Sequence, residues 1–141
     1  MKTFRVLILE DDIETISILM KDLVDLEKEL IVKKRIDIAV TVLSEYTQVQ
    51  EYINKTNHPF DVILLDRDCK ATGSFHVIDF EKFGVGKIIG ISSTPPYNEE
   101  IRERGVTRIV HKDFSNLQLF SQQVMAQLRE MLTWVPKLLQ Y

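Results

Sequence analysis

Five side chains in this sequence could share one piece of chemistry: Glu10, Asp11, Asp66, Ser92 and Lys112. Each follows a short apolar stretch. Phe4-Arg5-Val6-Leu7-Ile8-Leu9 leads into Glu10-Asp11, and Val62-Ile63-Leu64-Leu65 leads into Asp66. Lys87-Ile88-Ile89-Gly90-Ile91 leads into Ser92, and Arg108-Ile109-Val110-His111 into Lys112. Runs of this length, bounded by turn-formers such as Asn57, His58 and Pro59, read as strands buried on both faces. In a parallel sheet their carboxyl ends share one edge, where the chemistry of open α/β proteins gathers. Three carboxylates meeting there repel by on the order of several kcal/mol if partly buried. Lys112 offsets one charge only. A hard divalent cation with oxygen ligands is the natural remedy, and Mg²⁺ is the common one where phosphate chemistry follows.

Helical segments must separate these strands. Ile13, Ile16, Leu19, Met20, Leu23 and Leu26 recur at helical spacing, so a helix opens near Asp12 as N-cap. Glu27 to Arg35 fits either a longer helix or an extended hairpin-like segment. Arg35 to Val40 alternates weakly and reads as the second strand. Ser44 to Asn54 reads as a helix through Val49 and Ile53, closed by His58-Pro59 because the residue before proline avoids helical geometry. Between Cys69 and Phe83, the residues Phe75, Val77, Ile78 and Phe80 suggest a short irregular helix. Pro95-Pro96 is expected to block an immediate helix, leaving Asn98 to Arg104 as about two turns stopped by Gly105. Ser115-Asn116-Leu117-Gln118 has the form of a capping box. The helix it opens should bury Leu117, Phe120, Val124, Leu128 and Met131. Five strand–helix alternations predict an α/β fold with a doubly wound, five-stranded parallel sheet.

Composition agrees with this and narrows the function. The chain has 141 residues, enough for one domain with a core, and is 45% hydrophobic and 28% charged. A net charge of −3 and a pI near 5.6 give no basis for direct nucleic-acid binding. The lone Cys69 excludes an internal disulfide and fits a reducing compartment. It reads as a packed small side chain. His58, His76 and His111 have no metal-ligand spacing and read as surface or packing residues. No signal-peptide core and no membrane-length span is visible, so a cytoplasmic protein is expected.

The set Glu10-Asp11, Asp66, Ser92 and Lys112, each after an apolar strand and in this order, resembles the receiver domain of two-component response regulators. The resemblance covers the whole chain and implies the flavodoxin-like receiver fold. It implies that Asp66 accepts a phosphoryl group from a histidine kinase or phosphotransfer protein. Asp11 and Asp66 would hold Mg²⁺ directly, with the backbone carbonyl of Asp68 as a third protein ligand and Glu10 acting through water. Lys112 would offset charge on the phosphoryl oxygens, and Ser92 would donate its hydroxyl to the acyl phosphate. Such a domain catalyses only its own phosphorylation and dephosphorylation, and signals by binding a downstream target protein.

Several positions depart from the family pattern. Lys70 replaces the proline usual four residues after the phosphorylated aspartate. Asp113 replaces the proline after the lysine and is an extra acid placed to pair with Lys112. Ile109 replaces the aromatic that commonly switches rotamer. An insertion is expected around Glu27 to Val42, and the third and fourth helical regions look shortened. Two other readings compete: a pseudo-receiver that binds partners regardless of phosphorylation, and a haloacid-dehalogenase-type phosphatase using Asp66-Arg67-Asp68. The second fits less well, because an acid-ended strand precedes that motif and only Asp113 follows Lys112. The domain is expected to span residues 1–132, with 133–141 as an apolar tail. Pro136 should break or kink the helix there. Trp134, Leu138, Leu139 and Tyr141 would pack back, meet a partner, or form a homodimer.

Overall fold

A computed structural model describes the backbone of residues 1–138 and the side chains of residues 1–133. Five parallel strands form one sheet in the order β2-β1-β3-β4-β5. They are β1 (Lys2–Leu9), β2 (Ile36–Leu43), β3 (Val62–Leu65), β4 (Ile88–Gly90) and β5 (Arg108–Ile109). The helices are α1 (Ile13–Lys34), α2 (Tyr46–Gln48, continued as a π-turn over Val49–Ile53), α3 (Phe80–Phe83), α4 (Pro95–Glu103) and α5 (Leu117–Leu138). The doubly wound parallel sheet expected from the alternation is present.

Val6 to Leu9 of β1 and all of β3 are apolar on every residue because both faces are covered there. Val6, Ile8, Val62, Leu64 and Ile89 enter a core under α1 and α5 with Leu19, Leu26, Phe120, Val124 and Leu128. Leu7, Leu9, Ile63, Leu65 and Ile88 enter a second core with Val49, Phe75, Phe80 and Ile101 on the opposite face. The period of two along each strand thus divides one run between two cores.

Elsewhere the structure corrects the sequence reading. Of the two options for Glu27 to Arg35 the longer helix holds: α1 runs to Lys34, and Arg35 ends it in the left-handed region at φ 56°. Its N–H bonds Ile31 O and Leu30 O, as helix-ending turns do. The stretch read as an insertion falls in the end of α1 and in β2, which pairs with β1 over all eight positions. Pro95-Pro96 does not delay α4; it begins the helix, since the first helical N–H groups have no intrahelical acceptor and proline lacks the donor anyway. Ser115 does not cap α5. Asn116 does, with Oδ1 accepting from Leu119 N–H at 3.1 Å. Met131 is only partly buried while Leu132 is 1% exposed. The helix assignment continues to Leu138, past Pro136. The contacts expected of Trp134, Leu138, Leu139 and Tyr141 lie outside the described residues.

Candidate functional site

The carboxyl ends of β1, β3 and β5 deliver the acids and the lysine to one place. Asp66 N–H donates to Leu9 O at 3.0 Å, so the turn after β3 is tied to the end of β1. Lys112 N–H donates to Ser92 O at 3.2 Å, and Ile91 N–H to Leu65 O at 3.0 Å. These main-chain bonds extend the sheet past its last paired residues and hold the four segments in register. Carboxylate oxygens of Glu10, Asp11 and Asp66 all lie within 4.8 Å of one another. Lys112 Nζ donates to Asp66 Oδ2 at 3.1 Å and to Glu10 Oε1.

Burial gives this group its character. Glu10 is 0% exposed, Lys112 3% and Asp66 5%, so these charges are taken out of water. Glu10 Oε2 accepts from the N–H groups of Asp11 (2.9 Å) and Asp12 (3.2 Å). Burial first, and then the charge of Asp66, push the Glu10 carboxyl up to about 8. Burial works against the Lys112 ammonium, but Glu10 and Asp66 more than compensate and hold it above its ordinary value. Glu10 and Asp66 share one ammonium, and Asp11 stands beside them without a bond to it. Such a set of hard oxygen donors with surplus negative charge fits a divalent cation, as expected for Mg²⁺.

Asp12 is separate from the cluster. Its Oδ2 accepts from Thr15 N–H at 2.9 Å and from the Thr15 hydroxyl, and these bonds cap α1. Of the acidic triplet, therefore, one residue serves the helix and two serve the site.

Ser92 is 3% exposed, and its hydroxyl oxygen accepts from Thr94 N–H at 3.1 Å. The Asp68 carboxylate turns outward, pairs with Arg67 at 3.0 Å and takes no part in the acidic cluster. Asp113 does not pair with Lys112. It accepts from Ser115 N–H and hydroxyl at the surface, bonds that hold its carboxyl below the usual range. Cys69 is packed as expected, with burial raising its thiol. His76 is a buried packing residue, 3.2 Å from Glu100.

Two contributors escape sequence reasoning. Asn98, 5% exposed, holds Ser92 from both sides: its Oδ1 accepts Ser92 N–H at 3.3 Å and its Nδ2 donates to Ser92 O at 3.0 Å. Arg67 stacks its guanidinium 4.3 Å from the Tyr97 ring and donates its backbone N–H to Asp66 Oδ1 at 2.8 Å. It therefore links the acid to α4. A polar residue inside the first turns after Pro95-Pro96 was the only available sign of Asn98; Arg67 had none.

No family model and no curated protein matches the sequence. Solved structures do. A bacteriophytochrome response regulator, RtBRR, superimposes with a TM-score of 0.61 at 18% identity, over 92% of this chain and 78% of that one. Response regulator protein TrrA from Thermotoga maritima, in complex with Mg(2+)-BeF, gives 0.54 at 16% identity, covering 93% and 99%. The non-phosphorylated HemR receiver domain from Leptospira biflexa gives 0.52 at 18% identity, covering 87% and 92%. With five parallel strands in the order β2-β1-β3-β4-β5 and this likeness across nearly its whole length, the chain has the fold of response regulator receiver domains.

Proposed function

We propose that this chain is a receiver that takes a phosphoryl group onto Asp66 from a phosphohistidine of a histidine kinase or phosphotransfer protein, with Mg²⁺ as cofactor. The observation that carries the reading is the meeting of buried Glu10, Asp66 and Lys112 with half-buried Asp11, at the ends of three strands. In the transfer, an Asp66 carboxylate oxygen bonds phosphorus as the phosphorus–nitrogen bond to imidazole breaks. Water later cleaves the acyl phosphate and releases inorganic phosphate. Neither step requires a general base, since phosphoryl transfer depends mainly on position and charge neutralisation. Asp11, Asp66 and the Asp68 carbonyl are the residues that would hold Mg²⁺, with Glu10 acting through water. The bound cation supplies positive charge to the phosphoryl oxygens. Lys112, already bonded to Asp66, supplies the protein's own cation at the same oxygens. Ser92, held by Asn98, would exchange its Thr94 contact for one with the new phosphate. That exchange biases the loop leading into α4, and the chain signals by binding a target protein. A cytoplasmic setting follows from a kinase partner.

The presence of Mg(2+)-BeF on a protein of the same fold supports this reading. So does the outward turn of the Asp68 carboxylate, which leaves the phosphatase alternative without its second acid at the site. Incubation with acetyl phosphate and Mg²⁺ should add the mass of one phosphoryl group to the intact protein. EDTA or Asp66→Asn should prevent it. An unchanged mass in the wild type under conditions that phosphorylate another receiver would favour the pseudo-receiver, whose partner binding ignores both Mg²⁺ and Asp66.

A further inference from the structure

We propose that the outer edge of β2 pairs with β2 of a second copy of this chain, antiparallel about a two-fold axis at Thr41, so that two five-stranded sheets become one. β2 ends the sheet on its side, and all eight of its residues follow β1 in register without a bulge. In such a strand alternate residues point both main-chain groups at the neighbour, and the others point away. Lys2 N–H donates to Arg35 O and Glu10 N–H to Leu43 O, so the odd-numbered residues of this segment serve β1. Ile38, Val40 and Val42 therefore face outward. Ile38 N–H is already engaged, donating to Glu27 Oε2 at 2.8 Å. Among the described residues no side chain does this for Val40 or Val42.

Long edges are usually defended by lysine, proline, a bulge or brevity. The opposite edge, β5, is defended by being two residues long. β2 has no such defence: Ile-Asp-Ile-Ala-Val-Thr-Val-Leu has a single charge, at Asp37. The side chains favour the same contact. Ile38 and Val40 lean on the core beneath α1, and alternation puts Val42, 37% exposed, on that face. A groove lined by Met20, Leu23, Val24, Glu27, Ile38 and Val40 runs beside them.

The bonds from Ile38 N–H to Glu27 and from Lys70 N–H to Ser44 O flank the free Val40–Val42 stretch and together select the register. Setting Val40 opposite Val42 of the second copy uses the N–H and C=O of both residues, gives four main-chain hydrogen bonds, and leaves Glu27 on Ile38. Thr41 then meets its own counterpart as a non-hydrogen-bonded pair, where cross-strand side chains come closest. The four valines gather on one face, and within this span no charge opposes a like charge. The segment is complementary to itself, which is why a second copy is the occupant.

Sedimentation velocity of the full chain over a wide concentration range should show a monomer–dimer equilibrium. Val42→Lys should raise the dimer Kd by roughly a hundredfold. Val40→Pro should do the same with the monomer's circular dichroism intact, since the N–H it removes does not serve β1. Under mild oxidation Thr41→Cys should form a disulfide-linked dimer and Ala39→Cys should not. A wild type that stays monomeric throughout, a dimer indifferent to Val42→Lys, or crosslinking by Ala39→Cys in place of Thr41→Cys would each overturn the proposal.

Discussion

Lys112 Nζ stands 3.1 Å from Asp66 Oδ2, joining two residues 46 positions apart in the chain, and the same ammonium also donates to Glu10. One buried cation therefore holds the ends of three strands together before any ligand arrives. A phosphoryl group on Asp66 would add negative charge at the oxygen that Lys112 already faces. The residue that stabilises the resting fold is thus also placed to stabilise the modified one.

Removing that cation should be severe. Lys112→Met leaves Asp66 buried without its cation, and breaking a buried pair in this way costs on the order of 3–5 kcal/mol. Urea denaturation at neutral pH without Mg²⁺ should show the loss. Adding Glu10→Gln to Lys112→Met should recover part of it, because the amide removes a carboxyl that must otherwise take up a proton on folding beside Asp66.

Mg²⁺ should stabilise the wild type because a ligand that binds only the folded form adds stability by mass action, about 2.7 kcal/mol at a hundred times its Kd. Thermal melts with Mg²⁺, against a monovalent salt at equal ionic strength, should show a rise in Tm. Asp11→Asn should remove most of that rise while folding normally, since Asp11 is not among the partners of Lys112.

His76 sets a pH dependence away from the site. Burial holds its imidazole below the ordinary value, while Glu100 pulls the other way. The unfolded chain takes up this proton near pH 6.5, more readily than the folded one. Its stability contribution is therefore whole above about pH 6.5 and shrinks as pH falls toward the folded value. The urea midpoint should drop more between about pH 7.5 and 5.5 in the wild type than in His76→Gln. Glu100→Gln should enlarge the wild-type drop, because the compensating carboxylate is lost.

Gly73 is required by both backbone and neighbour. It sits at φ +106°, and a Cβ there would lie 2.3 Å from Cδ1 of Tyr46. Gly73→Ala should destabilise by about 1–3 kcal/mol. Tyr46→Leu in the same chain should relieve the collision but leave the backbone strain, giving partial recovery in the urea midpoint.

The sheet and four members of the site were legible because each buried strand stops abruptly at a polar residue. Glu10, Asp11, Asp66 and Lys112 needed only strand order to bring them together. What was illegible depended on local geometry that residue type does not encode. The end of α1 is set by Arg35 in a left-handed conformation, where glycine or asparagine would have announced it. The start of α5 fell to Asn116, because Ser115 spends its hydroxyl on Asp113. That same contact turns Asp113 from the partner expected for Lys112 into a surface turn. Asn98 acts on the main chain of Ser92, and Arg67 acts through its own N–H on the Asp66 carboxylate, contacts that leave no periodic trace in a sequence.

The central claim is that Asp66 is the phosphoryl acceptor. An acyl phosphate is reduced by borohydride to homoserine, so the modified position can be read by peptide mass mapping after treatment with acetyl phosphate and Mg²⁺. Homoserine at position 66, absent when EDTA replaces Mg²⁺, is the predicted result. Unmodified Asp66 with homoserine at another acid, or at none, would contradict the account.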